Sequence, residues 1–228
     1  MGRARDLARW SERLAQRGFA NPPRATYVPS VADVLLLDVM GTLVYDPFHE
    51  VMPSHFGMTL DELLAVKHPR AWVDFERGRL DEETFLRRFF ADERPYDTAA
   101  FRAAVRSAYR FLPGIEPLLG ELAQQGVPMH ALSNYPCWYR MIEERVGLSR
   151  YVPWTFVSCK TGLRKPEPEA YRNAARALGV PLETCLFVDD RPANCAAAEA
   201  VGMQAMVFQG AEGLRAELAS RGMLASPG

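Results

Sequence analysis

The sequence predicts an α/β protein: a doubly wound, parallel, five-stranded sheet with an all-helical segment inserted after the first strand. Three observations favour this fold class. Val34–Leu37 is apolar without alternation, which is typical of a parallel strand buried on both faces. Residues 48–112 show helical periodicity and no buried strand pattern. From residue 113 onward, helices and short apolar strands alternate, as in a right-handed doubly wound sheet.

Composition narrows the range of partners. The 228 residues are 48% apolar and 24% charged, and 27 basic against 28 acidic residues give a net charge of −1. Such a balance offers no broad basic field for nucleic acid or a membrane surface, so we expect a small-molecule partner and a monomer or homodimer. No apolar run approaches the roughly 18 residues of a membrane span, and there is no secretory signal. Four cysteines without metal-ligand spacing indicate a reducing, cytoplasmic location.

The first half of the chain divides into an N-terminal helix, the first strand and the inserted helices. Apolar residues at helical spacing predict an amphipathic helix at 3–18, and residues 1–22 form this helix and a linker. Residues 23–47 then begin the α/β core, and residues 48–112 form a helical cap. Within the cap we predict helices at 60–67, 69–77, 81–91 and 98–111. Thr59 and Glu62 have the spacing of a capping box for the first of these.

The second half of the core, residues 113–228, alternates regularly between helix and strand. We predict helices at 115–125, 136–146, 167–178, 193–201 and 212–220. The strands between them are predicted at 127–132, 155–157, 185–188 and 205–208. Glycines stand where several of these helices end, as C-terminal caps require.

Polar residues follow four of the predicted strands. Asp38 follows the first strand, Ser133-Asn134 the second and Asp189-Asp190 the fourth, while Lys165 lies in the loop after the third. Each alone is compatible with an ordinary turn or helix cap. Together they fall at one edge of the sheet, where open α/β proteins bind ligands. Three carboxylates there favour a hard cation such as Mg²⁺, and a lysine with a serine favours an anion, so the set is typical of phosphoryl transfer.

The order of these groups resembles the haloacid dehalogenase-like (HAD) hydrolases. The resemblance covers residues 33–210 and rests on four motifs: Asp38-x-x-Gly41-Thr42-Leu43, Ser133-Asn134, Lys165-Pro166-x-Pro168 and Asp189-Asp190-x-x-x-Asn194. The room between the first two motifs suits the helical-cap (C1) subclass, so the resemblance implies a Rossmann-like HAD core.

The resemblance also implies residue roles. Asp38 would be the nucleophile that forms an aspartyl phosphate, and Ser133 and Lys165 would bind the phosphoryl oxygens. Mg²⁺ would be the cofactor, and the substrate would be a small phosphorylated metabolite. The remaining roles divide into metal ligands and substrate contacts. The metal would be held by Asp38, the carbonyl of Met40, Asp189 and Asp190, and the substrate would also meet Gly41, Thr42, Asn134 and Arg164.

One position departs from the family pattern. Phosphatases of this family usually carry a second aspartate two residues after the nucleophile, and this chain has Met40 there. Methionine transfers no proton, and loss of a general acid or base commonly costs about 10²- to 10⁴-fold in rate. A phosphatase would therefore need another group, such as Asp46, His49 or water.

The departure leaves alternatives open. Segments such as 46–48, 56–58, 67–69 and 134–136 resemble a branch of the family that includes a plant chloroplast FMN hydrolase, which suggests FMN as a substrate. A 2-haloacid dehalogenase also tolerates an apolar residue at this position, but it has serines where this chain has Asp189 and Asp190. A phosphonate hydrolase would use a cap lysine, for which Lys67 is the candidate. The last alternative is a non-catalytic ligand-binding or regulatory protein.

Overall fold

A computed structural model describes residues 34–224, so the helix predicted at 3–18 and the start of the core at 23–33 lie outside the described residues. Five parallel strands form one sheet in the order β3-β2-β1-β4-β5. The strands are β1 Val34–Leu37, β2 Met129–Ser133, β3 Phe156–Val157, β4 Cys185–Asp189 and β5 Gln204–Val207. The predicted doubly wound, five-stranded sheet is therefore confirmed.

The central strand β1 explains why its sequence is uniformly apolar. Leu36 is in register with a residue of β2 on one side and of β4 on the other. Because side chains alternate along a strand, Leu35 and Leu37 enter one apolar cluster while Val34 and Leu36 enter the other. Both faces of β1 are thus buried, and the chain leaves the sheet at Asp38.

Five helices follow β1 within residues 48–112, the stretch predicted as the cap. They are α1 Val51–His55, α2 Leu60–Val66, α3 Ala71–Glu76, α4 Glu82–Arg87 and α5 Thr98–Ala108. The predicted capping box opens α2, since Thr59 and Glu62 each accept a hydrogen bond from the backbone of the other. The sequence analysis missed α1, which contains Pro53; a proline is tolerated there because the first turn needs no N–H donors.

The predicted helix at 69–77 begins later, at Ala71. The ring nitrogen Nδ1 of His68 accepts hydrogen bonds from the backbone N–H groups of Arg70 and Ala71, at 3.1 and 3.0 Å. A histidine therefore takes the place of the usual serine or aspartate cap.

Six more helices cover the sheet. They are α6 Ile115–Gln124, α7 Tyr139–Val146, α8 Ser158–Thr161, α9 Pro168–Leu178, α10 Pro192–Ala200 and α11 Ala211–Ser220. None of the helices within residues 34–224 combines the length and hydropathy that crossing a membrane requires.

Helices α3 and α4 pack against α7 and α8, which belong to the α/β part of the chain. Trp138, at the start of α7, is buried and meets Phe75 and Phe85 edge to face. Its indole N–H donates to Glu82 at 2.5 Å, and the hydroxyl of Ser158 donates to the carbonyl of Glu76 at 2.6 Å. These contacts hold the C-terminal end of α3 over the carboxyl edge of the sheet. The division into core and cap at residues 48 and 112 stays a prediction.

Candidate active site

Asp38 lies at the carboxyl end of β1 and forms an ion pair with a buried lysine. The Nζ atom of Lys165 is 2.7 Å from Asp38 Oδ1 and 2.6 Å from Asp189 Oδ2, the latter at the end of the neighbouring strand β4. The lysine side chain is only 2% exposed. One ammonium group thus joins two carboxylates that the sheet brings side by side.

Two asparagines fix this ion-pair network. The side-chain amide of Asn134 donates to the carbonyl of Lys165 and accepts from its N–H, both at 2.8 Å. Asn194 donates from Nδ2 to both carboxylate oxygens of Asp189, each at 3.0 Å. Because both polar groups of the Asn134 side chain bond the backbone of Lys165, its structural contribution is to position the lysine.

The turn after β1 is shaped around Asp190. The hydroxyl of Thr42 accepts the backbone N–H of Asp190 at 3.1 Å. Gly41 has a φ of +77°, and a Cβ atom there would lie 2.7 Å from Asp190 Oδ2. Glycine is therefore required twice, for the left-handed backbone and for the close approach of the carboxylate. Thr42, like Asn134, holds a neighbouring loop through a hydrogen bond to its backbone.

The electrostatics of the cluster follow from burial and charge. Burial raises the pKa of Asp38 to about 7, against the opposing pull of Lys165. Burial and the neighbouring Asp189 likewise raise the pKa of Asp190. Burial alone would lower the pKa of Lys165, but the carboxylates of Asp38 and Asp189 outweigh it and raise that pKa. The lysine is therefore a fixed cation. Keeping the neighbouring carboxylates ionised costs free energy, and a second cation would reduce that cost.

The donor set fits a divalent metal ion. Among residues 34–224, Asp38, Asp189 and Asp190 form the one cluster of metal-binding side chains, with one ligand atom of each lying within 4.8 Å of the others. One oxygen of Asp190, Oδ1, is buried without a hydrogen-bond partner in the described part of the protein. Oxygen donors alone suit Mg²⁺. Three carboxylates and one ammonium give a formal charge of −2, which one divalent ion neutralises.

A cavity of about 170 Å³ opens beside Asp38. Its walls come from the strand ends and the loops that follow them, from the segment after β1, from Lys67 just after α2 and from helix α3. The lining residues are Asp38, Met40, Asp46, Phe48, Lys67, Trp72, Glu76, Asn134, Tyr135, Arg164, Lys165, Arg191 and Asn194.

Five of the predicted site residues therefore line the cavity and five do not. Those on the lining are Asp38, Met40, Asn134, Arg164 and Lys165. Gly41, Thr42, Asp189 and Asp190 are not on the lining and belong to the network already described. Ser133 ends β2 and is buried, and its hydroxyl has no hydrogen-bond partner among the described residues.

The geometry agrees with a family assignment. The model of the haloacid dehalogenase-like hydrolases matches residues 32–202, three quarters of the chain. The chain belongs to the haloacid dehalogenase-like hydrolases. It is therefore an enzyme of the hydrolase class, and the resemblance seen in its four motifs is confirmed.

Relatives of this HAD-like hydrolase include several phosphatases. Flavin mononucleotide hydrolase 1 of Arabidopsis thaliana, a chloroplast protein, is 44% identical over 190 residues, which cover 83% of this chain and 78% of the plant protein. Phosphoglycolate phosphatase of Rhodospirillum rubrum is 29% identical over 197 residues, covering 76% and 78% of the two chains.

Solved structures share the fold. A HAD family enzyme of Bacteroides thetaiotaomicron, in complex with magnesium and inorganic phosphate, has a TM-score of 0.62 and 18% identity over 78% of this HAD-like chain and 94% of that one. The L-2-haloacid dehalogenase of Xanthobacter autotrophicus has a TM-score of 0.58 and 19% identity, covering 82% of each chain. At these identities the likeness concerns the fold alone.

Among the residues lining the HAD-like site that the sequence analysis did not predict is Glu76. This carboxylate is buried at the end of α3, lines the cavity, and accepts a hydrogen bond from Arg164 Nε at 2.7 Å. The two residues are 88 positions apart, so no local spacing could indicate the pair. Asn194 belongs to the fourth motif, but the sequence pattern assigns it no role.

Proposed function

We propose that this hydrolase is a Mg²⁺-dependent phosphatase that cleaves a small phosphomonoester through an aspartyl phosphate on Asp38. The observation that carries the proposal is the buried arrangement of Asp38, Lys165 and Asp189 at the carboxyl ends of adjacent strands, open to a cavity. A carboxylate nucleophile, a fixed cation and a carboxylate metal site are the parts that phosphoryl transfer requires.

Each residue receives a role from its contacts. Asp38 presents a carboxylate oxygen to phosphorus, because only its other oxygen is fixed by Lys165. Lys165 and Ser133 would bind the non-bridging phosphoryl oxygens, Ser133 through the hydroxyl that has no partner among the described residues. Asn134 and Thr42 would position these groups through their hydrogen bonds to the backbone of Lys165 and Asp190.

Asp38, Asp189 and Asp190 would hold the metal ion, together with the main-chain carbonyl of Met40 that the family resemblance assigns. Bound Mg²⁺ would neutralise negative charge that gathers on the phosphoryl group. Gly41 keeps the space in which the Asp190 carboxylate lies, so its contribution to metal binding is indirect.

FMN is the proposed substrate, supported by the 44% identity to a plant enzyme of that name. The cavity adds an aromatic wall, since Phe48 and Trp72 line it with ring centroids 6.4 Å apart and planes inclined by 34°. A flat ring system could lie against that wall. The cytoplasmic location, and the monomer or homodimer, stay predictions.

The test is phosphate release by the purified full-length chain from FMN, phosphoglycolate and sugar phosphates, with Mg²⁺ and with EDTA. We expect turnover that requires Mg²⁺ and that disappears in Asp38→Asn, with FMN preferred. Turnover that is equal in Asp38→Asn, or unaffected by EDTA, would overturn the proposal. Chloride release from 2-haloacids in EDTA would instead establish a dehalogenase.

A second candidate, a phosphonate hydrolase, is favoured by one observation: Lys67 lines the same cavity as Asp38. A lysine there can form a Schiff base with an aldehyde substrate. Borohydride reduction with phosphonoacetaldehyde would then attach the substrate carbon to Lys67, and an unmodified Lys67 would dismiss this candidate.

A further inference from the structure

The cavity contains an arginine that is held in place from the helical segment. Arg164 donates from Nε to Glu76 at 2.7 Å and from Nη1 to the carbonyl of Lys165 at 3.4 Å. Its Nη2 group has no hydrogen-bond partner among residues 34–224, and the side chain lines the cavity with Asp38. Two of the three guanidinium nitrogens are therefore held by the protein, while the donors of Nη2 remain for a ligand.

Glu76 is itself anchored on three sides. Its second carboxylate oxygen accepts the indole N–H of Trp72 at 2.5 Å, and its main-chain carbonyl accepts the hydroxyl of Ser158 at 2.6 Å. The side chain is 7% exposed. Burial raises the pKa of this carboxyl, and Arg164 acts in the opposite direction. A buried carboxylate with both oxygens occupied is poorly placed to give protons to a substrate, but well placed to orient an arginine.

The other cations of the cavity are not fixed in this way. The side chains of Lys67 and Arg191 line it, but no salt bridge or hydrogen bond holds either of them within the described part of the chain. Preorganised donors stabilise developing charge best because they need no reorganisation during the reaction. Arg164 is thus the fixed cation of this cavity that is not already engaged in the ion pairs of Asp38.

We propose that Arg164, positioned by Glu76, stabilises the leaving oxygen of the phosphoester and so replaces by charge what Met40 cannot supply by proton transfer. This inference rests on the proposed phosphatase activity. An oxygen of Asp38 bonds to phosphorus, and the bond from phosphorus to the leaving oxygen breaks with its electron pair kept by that oxygen. One water molecule is consumed: its proton goes to the leaving oxygen, and its hydroxyl goes to phosphorus and releases Asp38.

Leaving groups of graded basicity test the assignment. In p-nitrophenyl phosphate the leaving oxygen needs little stabilisation, whereas an alkyl phosphate needs much. We expect Arg164→Gln to lower kcat about 100-fold on an alkyl phosphate, as for loss of one transition-state donor, and less than about tenfold on p-nitrophenyl phosphate. Glu76→Gln should shift selectivity in the same direction by about tenfold, with KM changed less than kcat, because it acts by positioning.

Arg77→Gln is the matched control. Arg77 ends the same helix and pairs with Glu167 across the same contact, but it does not line the cavity. Arg77→Gln should leave the dependence of kcat on the leaving group unchanged. The comparison therefore distinguishes weaker packing of α3 from loss of the oriented arginine. Thermal melting of every variant would confirm folding, and Arg164→Lys would provide a second variant that retains the charge.

The outcomes separate this inference from the function on which it rests. One outcome supports the phosphatase but refutes the role of Arg164: wild type is active, Asp38→Asn is inactive, and Arg164→Gln slows all substrates equally. The inference also falls if Asp46→Asn, rather than Arg164→Gln, selectively loses the alkyl phosphate, because Asp46 would then be the acid. Absence of turnover in wild type would refute the proposed phosphatase activity itself.

Discussion

Replacing Lys165 by methionine tests the electrostatic centre of the site. Methionine keeps much of the apolar length of the side chain but leaves Asp38 and Asp189 buried without the ammonium that lies 2.7 and 2.6 Å from them. Removing one partner of a buried ion pair costs roughly 3–5 kcal/mol in the free energy of unfolding. For a chain of this size, such a loss lowers the Tm by roughly 6–20 °C.

The cost should depend on pH in a defined direction. Burial raises the folded-state pKa of Asp38 to about 7 from an ordinary value of 3.8, and Lys165 acts to lower it. Because folded Asp38 binds its proton more tightly than unfolded Asp38, the proton stabilises the folded state fully below pH 3.8. This stabilisation is lost as the pH rises from 3.8 through the folded-state pKa of about 7. Without the lysine the pKa rises further, so Lys165→Met should be more harmful at pH 8.5 than at pH 5.5.

Urea unfolding in EDTA, followed by circular dichroism at both pH values, measures the effect. A double-mutant cycle with Asp38→Asn supplies the control, since a neutral partner removes the repulsion that the missing lysine leaves behind. We expect the cycle to show a coupling of at least about 1.5 kcal/mol at pH 8.5. A cost below about 1 kcal/mol for Lys165→Met, or additive single changes, would refute the reasoning.

Two further predictions concern stability and metal binding. Gly41→Ala and Gly57→Ala each place a Cβ at positive φ, +77° and +65°. The backbone strain should cost about 1–2 kcal/mol in urea unfolding for Gly57→Ala and at least as much for Gly41→Ala. Only Gly41→Ala displaces the Asp190 carboxylate, so it alone should require at least about tenfold more Mg²⁺ for half-maximal activity; equal requirements would contradict this. Burial lowers the pKa of His130 to about 4 from 6.5, so between pH 6.5 and 4 the unfolded state binds more protons and stability is lost as pH falls. Relative to His130→Gln, the free energy of unfolding of wild type should fall by about 3 kcal/mol between pH 7 and 4. Parallel pH profiles for the two proteins would contradict this prediction.

Sequence patterns predicted those parts of the fold that depend on local periodicity. Val34–Leu37 could be recognised as a central strand because both of its faces are buried, and residues following parallel strands necessarily meet at one edge. The same reasoning brought Asp38 and Asp189 together before their distance from Lys165 was known. Ends of helices were less predictable: the helix expected at 98–111 stops at Ala108, where the backbone becomes extended at Tyr109.

Contacts between distant segments escaped prediction for a physical reason. Glu76 has the spacing of an ordinary surface residue on a short helix, and its burial depends on where the loop containing Arg164 passes. Nor could the pattern distinguish a ligand-binding amide from a positioning amide: Asn134 follows a strand as expected, but both of its polar groups bond the backbone of Lys165.

The charges of the site impose an order on its ligands. Asp38, Asp189 and Asp190 with Lys165 sum to −3 + 1 = −2, so a phosphate dianion approaching them alone would meet strong repulsion at low effective dielectric. A divalent cation in the carboxylate cluster brings this sum to zero, and only then do the cations of the cavity wall decide the outcome. Metal binding should therefore precede or accompany substrate binding, and the free protein should bind inorganic phosphate weakly until Mg²⁺ is added. If Arg164 acts as proposed, Met40 matters less than the missing acid suggests, because the cavity wall already carries a fixed arginine.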